Sequence, residues 1–329
     1  MKNEQIILRT DYFTGKRGRE VMVIVKVMGG LGNQLQQYAI YRKFGSLGVE
    51  AALDLSWFES RSQQKQLKPR ELELDFFDQL PYRACTREER EALIGKDTFT
   101  GRVFNRLMPR KNTCFAEQGR MYLPEIFAMR NVYLEGYFAC EKYYADILET
   151  LRKDIRFPEP VHPKNRELAE QMQKECSVSI HLRRGDYLDA ENAELFGNIC
   201  TPEYYDKAVS SVRQQVSQRN TEQKAMEQLH FYVFSDDPEY ARNWCGEKQQ
   251  DGERYTVVDW NHGRDSFYDM YLMSCCKHNI CANSTFSFWG ARLNPHTDKI
   301  MIRPLKHRNN QEYDIEEMQR LWEGWTLIL

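Results

Sequence analysis

Short apolar runs rich in β-branched residues alternate along this chain with segments whose apolar residues recur at helical spacing. No other feature limits the fold as tightly. Strands joined through helices must pair in parallel, and a parallel sheet must be covered on both faces. Residues 23–27 (VIVKV) predict a buried strand and residues 29–34 a tight turn. A helix is expected from Gln34 to Phe44, with Leu35, Ala39 and Ile40 inward and Gly45 and Gly48 closing it. Residues 57–130 predict mainly helices and long loops, 131–134 a strand and 139–155 a helix. Further on, helices are expected at 165–175 and 265–276, and strands at 177–182, 231–234, 255–258, 279–282 and 299–302. One more helix starts at Thr201-Pro202-Glu203, with Thr201 as N-cap and proline at the first helical position.

Pro158, Pro160 and Pro163 cannot sit inside a helix or a central strand, so they mark a linker. The expected division is a domain at 22–160 and another at 161–329, each of roughly 150 residues. The expected fold class is α/β, with Rossmann-like parallel sheets that bind ligands beyond the C-terminal ends of their strands. Residues 1–21 differ in character from the rest of the chain. Two readings stand for them: a flexible extension, or a segment ahead of a true start at Met22.

Lys and Arg number 46 against 48 Asp and Glu, a net charge of −2, so no whole-chain basic excess marks a nucleic-acid partner. Any anion site must be built locally from a few arginines and backbone amides. The nine cysteines are odd in number and contain no C-x-x-C pair, which argues against a disulfide framework or a cysteine-rich zinc site. Free thiols fit a reducing, cytoplasmic setting. No apolar stretch approaches the roughly 20 residues of a membrane helix. The N-terminus is polar through Glu20, so no secretory signal is visible and any contact with the inner membrane would be peripheral.

Four segments carry candidate chemistry. The first is His181-Leu182-Arg183-Arg184-Gly185-Asp186-Tyr187, at the end of an expected buried strand. Arginine presents a planar fork that grips phosphate through two hydrogen bonds, so an adjacent pair suits a diphosphate. The plainer reading is a surface pair bridged to Asp186. The second is Asn283-Ser284-Thr285-Phe286-Ser287, leading into a helix expected near Ser287, where hydroxyls and free amides can meet an anion or merely cap the helix. The third is Ser235-Asp236-Asp237-Pro238, whose carboxylates can accept from guanine or cap the next helix. The fourth is Gly29-Gly30-Leu31-Gly32-Asn33-Gln34. It has Leu35 where a dinucleotide fingerprint wants its third glycine, although Asp54 stands where the acidic residue belongs. Asn33 and Gln34 put amides, which both donate and accept, beside a cleft suited to sugar hydroxyls.

Together the strings GGLGNQ, HLRRGDY, FSDDP and NSTFSFWGARL resemble, in order and spacing, the bacterial α-1,2-fucosyltransferases of glycosyltransferase family 11. HLRRGDY is shared with a wider group of α-1,2- and α-1,6-fucosyltransferases. The resemblance implies a GT-B fold, two Rossmann-like domains facing a cleft, with the donor mostly in the C-terminal one and the last helix able to pack back on the N-terminal one. It implies inverting transfer from GDP-β-L-fucose to the 2-hydroxyl of a terminal β-galactose, with no metal and no other cofactor. Phe288 and Arg292 stand where the family usually has tryptophan. That departure touches acceptor preference more than donor choice.

By the resemblance, Arg183 grips the β-phosphate, with Arg184 shaping the same site. His181 and Asp236 or Asp237 contact guanosine. Ser284, Thr285, Phe286 and Ser287 meet the diphosphate, and Gly30, Gly32, Asn33 and Gln34 lie near fucose and acceptor. Asp186 is the first candidate for the base and Glu191 the second. The competing readings are transfer with another linkage, a nicotinamide oxidoreductase using the first glycine turn, and a non-catalytic glycan-binding protein.

Overall fold

The computed structural model describes residues 22–59, 70–95, 113–117, 121–185, 190–223, 228–248, 250 and 252–329. The extension at 1–21 lies outside them. The described residues open with β1 (Met22–Lys26), α1 (Leu31–Ser46), β2 (Glu50–Asp54), α2 (Arg87–Ile94), β3 (Cys114–Ala116) and β4 (Val132–Glu135). These strands form a parallel sheet in the order β2-β1-β4-β3. After α3 (Leu148–Asp154) and α4 (Pro163–Lys174) come β5 (Cys176–Leu182), α5 (Ala190–Phe196), α6 (Pro202–Gln223), β6 (Leu229–Ser235), α7 (Pro238–Lys248) and β7 (Arg254–Val258). The chain then continues through α8 (Phe267–Cys275), β8 (His278–Ile280), α9 (Thr285–Leu293), β9 (Met301–Pro304), α10 (Ile315–Leu321) and β10 (Trp325–Ile328). The second sheet is also parallel, in the order β10-β9-β8-β5-β6-β7. Read from β7, this is the 3-2-1-4-5-6 order of a Rossmann sheet. The protein is therefore α/β with two Rossmann-like halves, the GT-B class.

Burial explains the strand compositions. Every residue of β5 is buried, as expected for a strand with helices on both faces. On α1 burial extends beyond Leu35, Ala39 and Ile40 to Gln34, Gln36, Gln37 and Tyr38, because the helix is covered on nearly all sides. It starts at Leu31, three residues ahead of the expected position. Gly29, at φ +83°, makes the left-handed turn that admits it, and extended Gly30 caps it. The helix expected at 139–155 is broken into 3₁₀ turns at Glu141–Tyr143 and Ala145–Ile147, followed by α3. Neighbouring Tyr143 and Tyr144 are both buried but pack in different directions, Tyr143 against Tyr122 and Phe138 and Tyr144 against Trp289. At 57–130 the described residues add the short edge strand β3 to the expected helix and loops.

One of the apolar clusters spans both halves, beside two that belong to the second half alone. Leu35 and Tyr38 of α1 and Val25 of β1 join Met270 of α8, Phe288 and Trp289 of α9, and Met318, Trp322 and Trp325 at the C-terminus. Trp289 stacks on Tyr144 at 5.5 Å. Cys140 Sγ donates to the carbonyl of Leu321 at 3.8 Å. Phe288 and Arg292 are both buried, so these two departures from the usual tryptophans act in packing. Arg292 Nε donates to Glu141 Oε2 at 2.9 Å, which holds α9 to the first half. No described helix is long and apolar enough to cross a membrane.

Candidate functional site

In an open parallel sheet, ligands settle outside the C-terminal strand ends where the strand order reverses direction. The second sheet reverses between β5 and β8. Arg183 and Arg184 follow β5 and residues 283–287 follow β8, so these two motifs flank one crevice. The first sheet reverses between β1 and β4, and the Gly29–Gln34 turn sits there.

The two crevices face each other. Thr285 Oγ1 donates to Asn33 Oδ1 at 3.0 Å. A Cβ on Gly32 would lie 2.5 Å from the carbonyl carbon of Thr285 and 2.6 Å from the amide nitrogen of Phe286, so only glycine lets α1 and α9 approach this closely. Two helix N-termini, each with unsatisfied amides and the positive end of a dipole, therefore converge. On α9 the cap Ser284 is extended and its side chain makes no capping bond. The first helical bond runs from Phe288 N to Ser284 O, which leaves the amides of Thr285, Phe286 and Ser287 with no acceptor inside the helix.

Strand register places the arginines. Leu182 of β5 pairs with Ser235 of β6, so Arg183 emerges beside Asp236. Arg183 Nη1 lies 2.8 Å from Asp236 Oδ2. Asp236 Oδ1 accepts from the amides of Arg184 at 3.0 Å and Gly185 at 3.1 Å, fixing the loop. Arg184 Nε donates to Asp237 Oδ2 at 3.2 Å, and its guanidinium lies 3.8 Å over the Tyr240 ring. Asp237 also caps α7, its Oδ1 accepting from Tyr240 N at 3.1 Å. Both carboxylates thus hold the arginines, and any guanine contact would share the same oxygens. Asp236 is thus an ion partner of Arg183.

Other expected ligand groups are engaged elsewhere. Gln34 is fully buried: its Nε2 donates to the carbonyls of Gly29 and Glu71, both at 2.9 Å, and its Oε1 accepts from Glu73 N at 2.8 Å. It braces the turn and offers nothing to a sugar, which corrects the expected contact. Ser287 Oγ donates to Ser284 O at 3.2 Å inside the helix, so only its amide is open to a ligand. His181 is 6% exposed, with its ring 5.9 Å from that of Phe286. Burial first, and Arg183 second, push its pKa down to about 3. The ring is therefore neutral, and its Nδ1 is buried with no hydrogen-bond partner among the described residues. Asp186 lies outside the described residues, and Glu191 falls in α5.

Residues inside and outside the four segments support the site. Tyr205 OH donates to His181 O at 2.8 Å, and Ser235 Oγ to Leu182 O at 2.8 Å, so both anchor the end of β5. Asn283 Nδ2 donates to Phe196 O at 3.1 Å and His307 O at 3.3 Å, tying down the loop that carries Ser284 and Thr285. Tyr240 had one visible signal, its place three residues after the helix-capping Asp237. Among the described residues no group of three or more His, Cys, Asp or Glu is placed to hold a metal ion.

The chain is 29% identical over 311 residues to an α-1,2-colitosyltransferase from Escherichia coli, covering 93% of this chain and 99% of that one. It is 40% identical over 130 residues to the O-antigen biosynthesis glycosyltransferase WbnK of Escherichia coli, a match spanning 40% of this chain and 38% of that one. Among solved structures, NodZ α-1,6-fucosyltransferase soaked with GDP-fucose matches with a TM-score of 0.48 at 14% identity, covering 84% of this chain and 94% of that one. The sequence profile of glycosyl transferase family 11 matches residues 120–328 and takes in the arginine pair, the Asp-Asp turn and the loop into α9. This chain belongs to glycosyl transferase family 11.

Proposed function

We propose that the protein is an inverting, metal-independent fucosyltransferase that moves L-fucose from GDP-β-L-fucose to the 2-hydroxyl of a terminal β-galactose. The observation that carries this reading is the meeting of Arg183, fixed by Asp236, with the open N-terminus of α9 at a crevice faced by Asn33. Departure of GDP builds negative charge. Arginine and backbone amides aimed at that charge stabilise it in place of a metal. The sugar passes through an oxocarbenium-like state, and the acceptor oxygen attacks from the face opposite GDP. Asn33 Nδ2 is the proposed sugar contact. Asp186, next to Gly185, is the proposed acceptor of the galactose proton. The absence of disulfides among the nine cysteines supports a reducing, cytoplasmic setting.

The similarity to an α-1,2-colitosyltransferase supports a second reading, transfer of colitose, which is L-fucose lacking its 3-hydroxyl. The test is kcat/KM for GDP-fucose and GDP-colitose with lactose as acceptor, in EDTA, with the linkage assigned by NMR. The first reading expects 2′-fucosyllactose and preference for GDP-fucose. Preference for GDP-colitose selects the second, and activity restored only by manganese refutes the metal-independent mechanism.

A further inference from the structure

Arg303 is wholly buried, and no carboxylate is among its principal electrostatic neighbours, which are Arg292, Cys281, Tyr204 and Tyr313. Its Nε donates to the carbonyl of Pro304 at 3.1 Å, while Nη1 and Nη2 have no hydrogen-bond partner among the described residues. A second buried guanidinium, Arg292, lies against the same rings but has Glu141 as its ion partner. Arg303 has only ring faces, Trp322 at 3.7 Å and Phe288 at 4.6 Å from its central carbon. Cation–π contact offsets part of the desolvation of a buried charge but does not replace a counter-ion. As a packing element, Arg303 is a poor choice.

Its position supplies the reason. Ile302 of β9 pairs with Ile280 of β8, so Arg303 stands level with Cys281, just below the loop that carries Ser284 and Thr285. Phe288 is the fourth residue of α9, so Arg303 sits under that helix's first turn. One turn spans about 5.4 Å, which puts the guanidinium on the order of 10 Å from an anion at the helix N-terminus.

We propose that Arg303 is a positioning residue for the donor: its buried, unpaired positive charge, adding to the dipole of α9, draws the diphosphate onto that helix end without touching it. This rests on the nucleotide-diphosphate reading above. At an effective dielectric near 20, unit charges about 10 Å apart couple by roughly a factor of ten in a binding constant.

Calorimetric titration of GDP, GMP and guanosine into the wild type, Arg303→Met and Arg303→Lys tests it, alongside ligand-free melting temperatures. Arg303→Met should weaken GDP at least about tenfold and GMP less, and leave guanosine within about twofold, because the effect scales with ligand charge. Its ligand-free melting temperature should rise, because a buried charge without a counter-ion has been replaced by an apolar side chain of similar length. Arg303→Lys should keep GDP within about threefold of the wild type. Equal weakening of all three ligands, unchanged GDP affinity, or an Arg303→Met protein that melts lower or fails to fold would each overturn the inference. A wild type that binds no GDP instead overturns the nucleotide reading, and the inference with it.

Discussion

Asn33 Oδ1 and Thr285 Oγ1 lie 3.0 Å apart, one at the start of α1 and the other at the start of α9. The glycine beside Asn33 makes that distance attainable. Gly32→Ala would drive a methyl into the backbone of Thr285 and Phe286, which cannot swing aside as a side chain would. The expected result is a loss of about 1–3 kcal/mol of stability. Transfer should fall by about 10² or more, since a 1 Å displacement of positioned groups is enough for that. Thermal melts and kcat/KM measured together check this; wild-type transfer would mean the contact is not part of the active geometry.

Arg183→Lys keeps the charge and loses the two-pronged fork. It should lower kcat by roughly 10²–10³, the effect of losing one aimed donor. Arg183→Ala should lose at least as much with the fold intact. Asp236→Asn can still accept from the amides of Arg184 and Gly185, so its defect isolates the ionic hold on Arg183. A folded Arg183→Ala enzyme with near-normal kcat would remove this residue from the chemistry.

His181 and His307 are both pushed down to about 3, in each case chiefly by burial and then by a neighbouring arginine. Each is neutral when folded but binds a proton near pH 6.5 when unfolded. Their contribution to stability is therefore complete above pH 6.5 and is lost as pH falls toward 3. The slope is at most about 1.4 kcal/mol per pH unit for each residue. Histidine NMR should show neither ring titrating between pH 5 and 8. A midpoint near 6.5 for His181 would mean its ring reaches water.

Asp269 has the opposite sign. Burial pushes its carboxyl up to about 7, partly offset by a hydrogen bond at 2.8 Å from Asn261 Nδ2. The folded state takes up the proton first, so the stability this provides is full below pH 4 and lost as pH rises through 7. Asp269→Asn keeps an acceptor for Asn261. It should be more stable than the wild type at pH 8, on the order of 1–4 kcal/mol, with the gap narrowing by pH 5 and closing below about pH 4. Denaturant melts at the two pH values decide it, and a pH-independent difference would refute the assignment.

The α/β class, the strand ends and the four motifs were legible because strand burial and turn chemistry are written locally. What escaped depends on distant partners. Pairing of β5 with β6 brings Asp236 to Arg183 from the far side of α5 and α6. Gln34 carries the same amide as Asn33, but one step around the helix turns it from the crevice into the interior. β3 and β10 are short edge strands that packing creates and local pattern does not announce.

The core that joins α1 to α8, α9 and the C-terminal tryptophans bears on how such enzymes can be recombined. The prolines at 158–163 look like a seam between the two halves. A chimera joined there would set one parent's Tyr144 against the other's Trp289, and one parent's Gly32 against the other's Thr285. The packed unit around the first sheet is discontinuous in sequence. Moving it between relatives as a working unit means moving residues 263–294 and 315–325 with it.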